Sequence, residues 1–501
     1  MSNMRLSRRR FAIPLFAILT SAGAAAALAA CESDPAVEPT PDASTADARQ
    51  PEGDATPPPP AKDSAVPPNW TATKDSARTA RDVSVVIDVL ANDTAPKSAA
   101  LVVTMAPKKG TVVVGAGKLT YTPNEGADGD DTFEYIASEG GRDQKAEVAV
   151  TVLPSPGTVV HGQLYSAESA DDITWADINA AGDRVGKIEK GADRDKIAVV
   201  TKAGVRTIIA PPGPAEDQLV RGIADDGTVL AQYLHATRFQ FIGFTWKAGV
   251  VDRTCDPGAE GDCTLERMRA DGTIVGNTYD YTLYTGFVWP AGKSRVPLAV
   301  TGYASTYATA IDPSGVVLGI GDNSSDGYSG PQRCFRGTPV LPTSDAGTDG
   351  GDAGDAGATR GLTVLPFTAS NPHFVYCRGI NASGAIVGAV KALPDGAGKP
   401  RSETDRIKAA LWHPQKGFAY VRLPYKRPTA ASWRVEQLFG INASGVIVGT
   451  FQDATPAAAP TDGGAAAPPT RVTRGVTLTP IEALPGTSFA DTIVDHVDGP
   501  I

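Results

Sequence analysis

Covalent and metal chemistry call for cysteine, histidine or clustered carboxylates, and few of these stand at telling distances along the 501 residues. Five cysteines are present: Cys31, Cys255, Cys263, Cys334 and Cys377. Cys255 and Cys263 flank a short turn-rich loop and can meet, while Cys334 and Cys377 fall in successive copies of a repeat. Of the three connectivities open to these four, the expected one joins Cys255 to Cys263 and Cys334 to Cys377, the second bridge stapling neighbouring repeats. Zinc is the rival, but no CxxC spacing is present. The histidines, His161, His235, His373, His413 and His496, form no HExxH, and neither a GxSxG elbow nor a GxxxxGK[ST] phosphate loop occurs. Asp128, Asp130 and Asp131 are weak calcium candidates, because a hard cation wants several oxygens; solvated acids in a glycine-rich turn are the competing reading. No catalytic residue, structural metal or cofactor is assigned.

The chemistry expected of Cys31 comes from what precedes it. Arg5, Arg8, Arg9 and Arg10 form a basic start, an apolar run follows from Phe11 to Ala30, and small residues close it. That is the layout of a secretory signal. A membrane-spanning helix is the alternative. Leu28-Ala29-Ala30-Cys31 resembles the lipobox of bacterial lipoproteins. The resemblance implies cleavage between Ala30 and Cys31 and acylation of Cys31, with two or three chains giving a stable anchor. Glu32 follows the cysteine where the inner-membrane retention signal would be Asp, which favours the outer membrane. Ser7-Arg8-Arg9-Arg10-Phe11 also resembles the twin-arginine export motif, with an ordinary basic start as the alternative. Loss of residues 1–30 removes four arginines and no acid, taking the formal charge from −10 to −14. An anionic chain is not a general nucleic-acid binder.

Glycine and proline together make nearly a fifth of the chain, and aromatics only 7%. This disfavours a helical bundle and fits short strands, turns and unstructured stretches. Residues 31–78 hold ten prolines between Pro35 and Pro68, with Trp70 as the only aromatic. Such a segment buries too little apolar surface to offset its ordering entropy, and is expected to be a disordered tether.

Strand signals start at residue 79. Val83–Leu90, Leu101–Thr104, Gly110–Val114, Lys118–Thr122, Asp131–Ile136 and Ala146–Val152 predict six or seven strands in a β-sandwich over 79–153. IDVLANDT, LTYTPNEGADGDDTFEY and AEVAVTV resemble the cadherin-like, immunoglobulin-like modules of bacterial surface proteins, which implies a spacer or adhesion role.

From 156 to 501 the chain repeats itself. Six segments run from an apolar residue through a polar turn to a glycine and then an apolar strand. Their turn glycines are Gly182, Gly227, Gly272, Gly315, Gly384 and Gly445, spaced by 45, 45, 43, 69 and 61 residues. A second glycine-closed strand follows each, as at Phe244–Gly249, Phe287–Gly292 and Ala410–Gly417, with the sixth copy placing it near Gly475. Two hairpins in about 45 residues are what a propeller blade looks like. The long spacings come from Gly-, Ala-, Pro- and Asp-rich insertions at 343–360, 393–407 and 453–469, expected to be disordered. Trp246, Trp289 and Trp412 recur at one position and are expected to pack between blades. Gly379-Ile380-Asn381 and Gly440-Ile441-Asn442, each leading to Ile-Val-Gly, resemble the HAF family of extracellular repeats. Repeats one to three depart at the Gly-Ile-Asn start and repeat four lacks the tryptophan. The resemblance implies no activity. The Ser488–Ile493 segment is expected to pair near Val159 and Val160 and shut the ring; six blades are read, with a seventh shared between the ends as the alternative.

The expectation is therefore all-β: an immunoglobulin-like sandwich followed by a propeller of six or seven four-stranded blades. Functionally it is a non-enzymatic outer-membrane lipoprotein held to the membrane by its N-terminal lipid and presenting the propeller to an envelope or extracellular protein or glycan. A propeller hydrolase or lyase with carboxylates or a histidine gathered at the central channel is the alternative, and a purely structural spacer a third.

Overall fold

A computed structural model describes residues 70–170, 172–258, 261–323, 332–340, 361–365, 374–391, 407–421, 434–455 and 470–490. No helix occurs among them, and every regular element is a strand. The expected signal segment, Ala30 and Cys31, and nearly all of the three insertions lie outside the described residues. At the edges, Ile407–His413 is a strand, and so is Ile447–Thr455, which takes in the first residues assigned to the third insertion.

The sandwich is made by β1 (Asp75–Arg81), β2 (Val85–Ile87), β3 (Ala100–Met105), β4 (Gly110–Gly115), β5 (Lys118–Pro123), β6 (Gly129–Glu139) and β7 (Arg142–Val160). β6 pairs with β3 and β7 in one sheet, where β1 runs parallel to β7; β2, β5 and β4 form the facing sheet. Alternate residues of β5, β6 and β7 point inward, so Leu119, Tyr121, Phe133, Tyr135, Val148 and Val150 form the core. The tether boundary at 78 is corrected. β1 starts at Asp75, and Trp70 is 3% exposed in the same core. The inward residues of β1 are small or polar (Ala77, Thr79, Ala80), which hid the strand from a hydrophobicity reading.

The boundary between 153 and 156 is corrected as well. β7 runs through it without a break and pairs with β8 (Gln163–Ala170), which belongs to the repeat region. Gly157 lets the chains cross there: a Cβ at this position would lie 2.4 Å from that of Ala80.

Six four-stranded units follow, here called sheets, over residues 173–209, 215–255, 262–297, 305–364 and 374–420, with the sixth made of three strands at 434–480 plus β8; one parallel bridge between Ile242 and Cys263 joins the second to the third. The innermost strands are Ile173–Ile178, Ala215–Ile223, Asp262–Met268, Ser305–Ile311, Phe374–Ile380 and Arg434–Ile441. Each touches the next in the series, and the sixth touches the first. The arrangement is β-propeller-like. Ring closure differs from expectation. Thr470–Pro480 is one unbroken strand that pairs with β8, so the strand shared between the ends completes the sixth sheet, and no seventh appears among the described residues. Gly475 is thus not a turn residue; a Cβ there would meet the Ile173 carbonyl at 2.5 Å. Thr487 and Ser488 pair instead with Ile87 and Val86 of β2, and Phe489 is buried in the sandwich core.

Candidate functional site

The six repeat turns have one construction. In each, the turn glycine has positive φ, between 75° and 92°, and its amide donates to the carbonyl three residues earlier. The Asn after the repeat isoleucine, at 179, 381 and 442, does two jobs. Its Oδ1 accepts an amide of its own turn, as from Val446 to Asn442 at 2.9 Å. Its Nδ2 reaches the next sheet: Asn381 donates to the Asn442 carbonyl at 3.2 Å, Asn442 to Asn179 at 3.1 Å, and Asn179 to Ala224 at 3.3 Å. These amides form a belt from the fifth sheet through the sixth and first to the second.

Just before the turns, every innermost strand carries a β-bulge. The register shifts lie opposite Val185/Gly186 in the first sheet and at Val220/Gly222, Leu265/Arg267, Ala308/Ala310, Cys377/Gly379 and Leu438/Gly440 in the others. A bulge adds one residue and re-aims side chains. The residues set out of register are Ala176, Arg221, Glu266, Thr309, Arg378 and Phe439. The next position on each strand is Asp177, Gly222, Arg267, Ala310, Gly379 and Gly440. Small residues dominate there because the backbones converge: a Cβ on Gly440 would lie 2.4 Å from Asp177 Oδ1, and one on Gly222 2.5 Å from the Glu266 carbonyl.

The two charged members of that second set pair with each other. Arg267 Nε lies 3.0 Å from Asp177 Oδ2, and the Arg267 guanidinium donates to the carbonyls of Arg221, Glu266 and Phe439. Asp177 also accepts the Ile223 amide at 3.0 Å. Burial pushes the Asp177 carboxyl up, against the pull of Arg267. Glu266 Oε1 accepts from Tyr307 at 2.7 Å and Thr264 at 3.0 Å, with Arg221 Nε at 3.7 Å. Burial, reinforced by Glu266, raises the Tyr307 hydroxyl. On the turn side, a cavity of about 260 Å³ is walled by residues of all six sheets. Asp177 and Arg267 lie deep in it; Ile178, Ile223, Ile380 and Ile441 line it, and the exposed Ala180, Ala270, Ala382 and Ala443 form its rim.

The residues singled out by sequence lie elsewhere. Cys255 is bridged to Cys263 and Cys334 to Cys377, with Cα separations of 5.7 and 6.2 Å. Both bridges join successive sheets, the second to the third and the fourth to the fifth, whereas the first was expected only to close a loop. The three calcium candidates do not converge. Asp131 accepts the Lys108 and Lys109 amides and the Tyr121 hydroxyl, Asp128 pairs with Arg81, and Asp130 takes the Thr151 hydroxyl. Of the histidines, His373 and His496 lie outside the described residues, and His161, His235 and His413 do not line the cavity. Trp246, Trp289 and Trp412 are half-buried rather than core. Arg253 of the second sheet lies over Trp289 of the third, and Arg336 of the fourth over Trp412 of the fifth, 5.4 and 5.2 Å from the ring centres. The axial residues escaped sequence reading because a bulge has no periodicity; the one signal was Asp177 before Ile178 and Arg267 before Met268, where the best-matching repeats have Gly before Ile.

Residues 65–152 match the family model of the bacterial Ig domain. No curated protein matches the chain. Among solved structures, a virginiamycin B lyase from Staphylococcus aureus, crystallised with quinupristin as a catalytically inactive variant, is 11% identical, covering 77% of this chain and 100% of its own, with a TM-score of 0.31. TolB from Acinetobacter baumannii is 13% identical over 74% of this chain and 79% of its own, TM-score 0.32. A quinoprotein alcohol dehydrogenase-like protein from Bacteroides thetaiotaomicron is 8% identical over 69% of this chain and 94% of its own, TM-score 0.27. At such distances the fold assignment here rests on the strand pairing of this chain.

Proposed function

We propose that the chain is a non-enzymatic outer-membrane lipoprotein, acylated at Cys31, that presents a closed six-bladed propeller of HAF type and binds an envelope or extracellular protein or glycan on its turn face. The observation that carries this reading is the cavity at the centre of that face, walled by isoleucines and the Asp177–Arg267 pair and rimmed by small alanines and the acids Asp225 and Asp271, which leaves room for a protruding group with polar contacts. The test uses the full chain carrying Cys31→Ser. This variant is expected in the soluble fraction, and one that stays membrane-bound overturns the anchor. Offered envelope proteins and glycans, it is expected to retain a specific partner, and Ala382→Trp at the exposed rim to weaken retention at least about tenfold without altering circular dichroism. No retained partner, or retention untouched by Ala382→Trp, defeats the turn-face reading and leaves the structural spacer.

One observation favours the enzymatic alternative: two carboxylates, Asp177 and Glu266, come from the first and third sheets to the axis. Each is engaged by an arginine and by hydrogen bonds, the state of a structural ion pair rather than of a poised acid or base. Turnover of a ligand retained on the turn face, lost in Glu266→Gln with binding preserved, would establish the enzyme instead.

A further inference from the structure

The bulges leave the axis with unbalanced charge. Among the described residues, three guanidinium groups, Arg221, Arg267 and Arg378, share it with two carboxylates, Asp177 and Glu266. Arg267 is matched by Asp177 and by backbone carbonyls. Glu266 has Arg221 as its nearest cation, at 3.7 Å. Arg378 is the remainder. Among the described residues it has no ion pair and no hydrogen bond, its Nε is buried without an acceptor, and its guanidinium rests 5.3 Å from the centre of the Tyr376 ring. A guanidinium N–H held away from water with nothing to receive it is costly, while the partly exposed end of the side chain leaves its fork open to a ligand.

The placement is specific. Arg378 belongs to the fifth sheet and Arg221 to the second, which face each other across a six-membered ring, and Arg378 senses the charges of Arg221 and Glu266 and the Tyr307 hydroxyl. Arg221 keeps 26% of its side chain exposed, so solvent reaches this part of the axis. Neither arginine lines the turn-side cavity, so this is a second location.

We propose that Arg378, with Arg221 across the axis and the Tyr307 hydroxyl beside them, binds a small oxyanion of the carboxylate or phosphate type. A guanidinium fork matches two oxygens of such a group, and the charge-assisted bonds would satisfy the Arg378 Nε–H that the protein leaves without an acceptor. The proposal does not depend on any partner at the turn face.

The test is a thermal-unfolding titration of the full chain at constant ionic strength, replacing chloride by acetate, glucuronate or inorganic phosphate. A saturable rise in Tm with at least one of the three is expected; a rise confined to glucuronate and acetate identifies a carboxylate, and one confined to phosphate a phosphoryl group. Arg378→Met is expected to abolish the rise while leaving Tm in chloride equal to or above that of the unchanged chain, since it replaces an unmatched buried cation by an apolar chain. Arg221→Met is expected to weaken the apparent affinity at least about tenfold. The proposal fails if none of the three anions gives a saturable rise, if Arg378→Met responds as the unchanged chain does, or if Arg378→Met lowers Tm in chloride, which would make Arg378 a structural cation.

Discussion

Asn442 shows how much one side chain carries: its oxygen closes its own turn and its amide group holds the carbonyl of Asn179, 263 residues away. Aspartate cannot do both, because an ionised carboxylate only accepts. A different polar site governs the response to pH. Asp75 lies in the sandwich core, 7% exposed, accepting from the Tyr135 hydroxyl at 3.1 Å near Asp93. Burial pushes its carboxyl from the ordinary 3.8 up to about 7. The folded chain therefore holds this proton more tightly than the unfolded one. The stability it confers is full below the ordinary carboxylate range and is lost as pH rises through about 7. Asp75→Asn should raise Tm over the unchanged chain at pH 8 by the equivalent of about 2 kcal/mol and leave pH 4 nearly untouched; thermal melts across that range check it.

At the scale of elements, glycine serves two unrelated ends. Gly227 has a φ of 83° and nothing within 4 Å of a would-be Cβ, so Gly227→Ala should cost only the conformational term, about 1 kcal/mol. Gly440 has ordinary strand geometry but stands against Asp177, so Gly440→Ala should cost about 3 kcal/mol by overpacking the axis. Urea unfolding of the two variants distinguishes these mechanisms. The turn glycines and their spacing were legible in sequence, because a positive φ is a local demand. The axial glycines were visible as part of a pattern without a reason, since what they avoid belongs to another sheet. The bulges beside them left no periodic trace.

The whole molecule is more continuous than a spacer carrying a separate head. β7 spans the sandwich and pairs with β8, β8 completes the sixth sheet, and the chain then returns to add Thr487 and Ser488 to β2. Phe489, 7% exposed, seals the sandwich core from a position 356 residues beyond Phe133 in the same cluster. Phe489→Ala should lower stability by about 3 kcal/mol, and calorimetry should show sandwich and repeat region melting in one transition. Two separate transitions, with only the upper or lower one moved, would show that the joined sheets do not unfold together. The two disulfides reinforce the ring by tying successive sheets; replacing both Cys334 and Cys377 with Ala should cost about 2–4 kcal/mol, read as a lower Tm.

What residue order determined by itself is local: the all-β character and the six turns, each with its positive-φ glycine. These follow from backbone conformations that a few adjacent residues dictate. Tertiary structure alone decided which strand closes the sixth sheet, where the sandwich ends, and which side chains meet at the axis. Thr470–Pro480 had several β-rich candidates with which to pair, and only the curvature of six stacked sheets brought β8 beside it. Likewise Asp177, Glu266, Arg267 and Arg378 are ordinary charged residues in sequence. They become a site because bulges in three different sheets turn them toward one line, and because burial on that line makes their charges count.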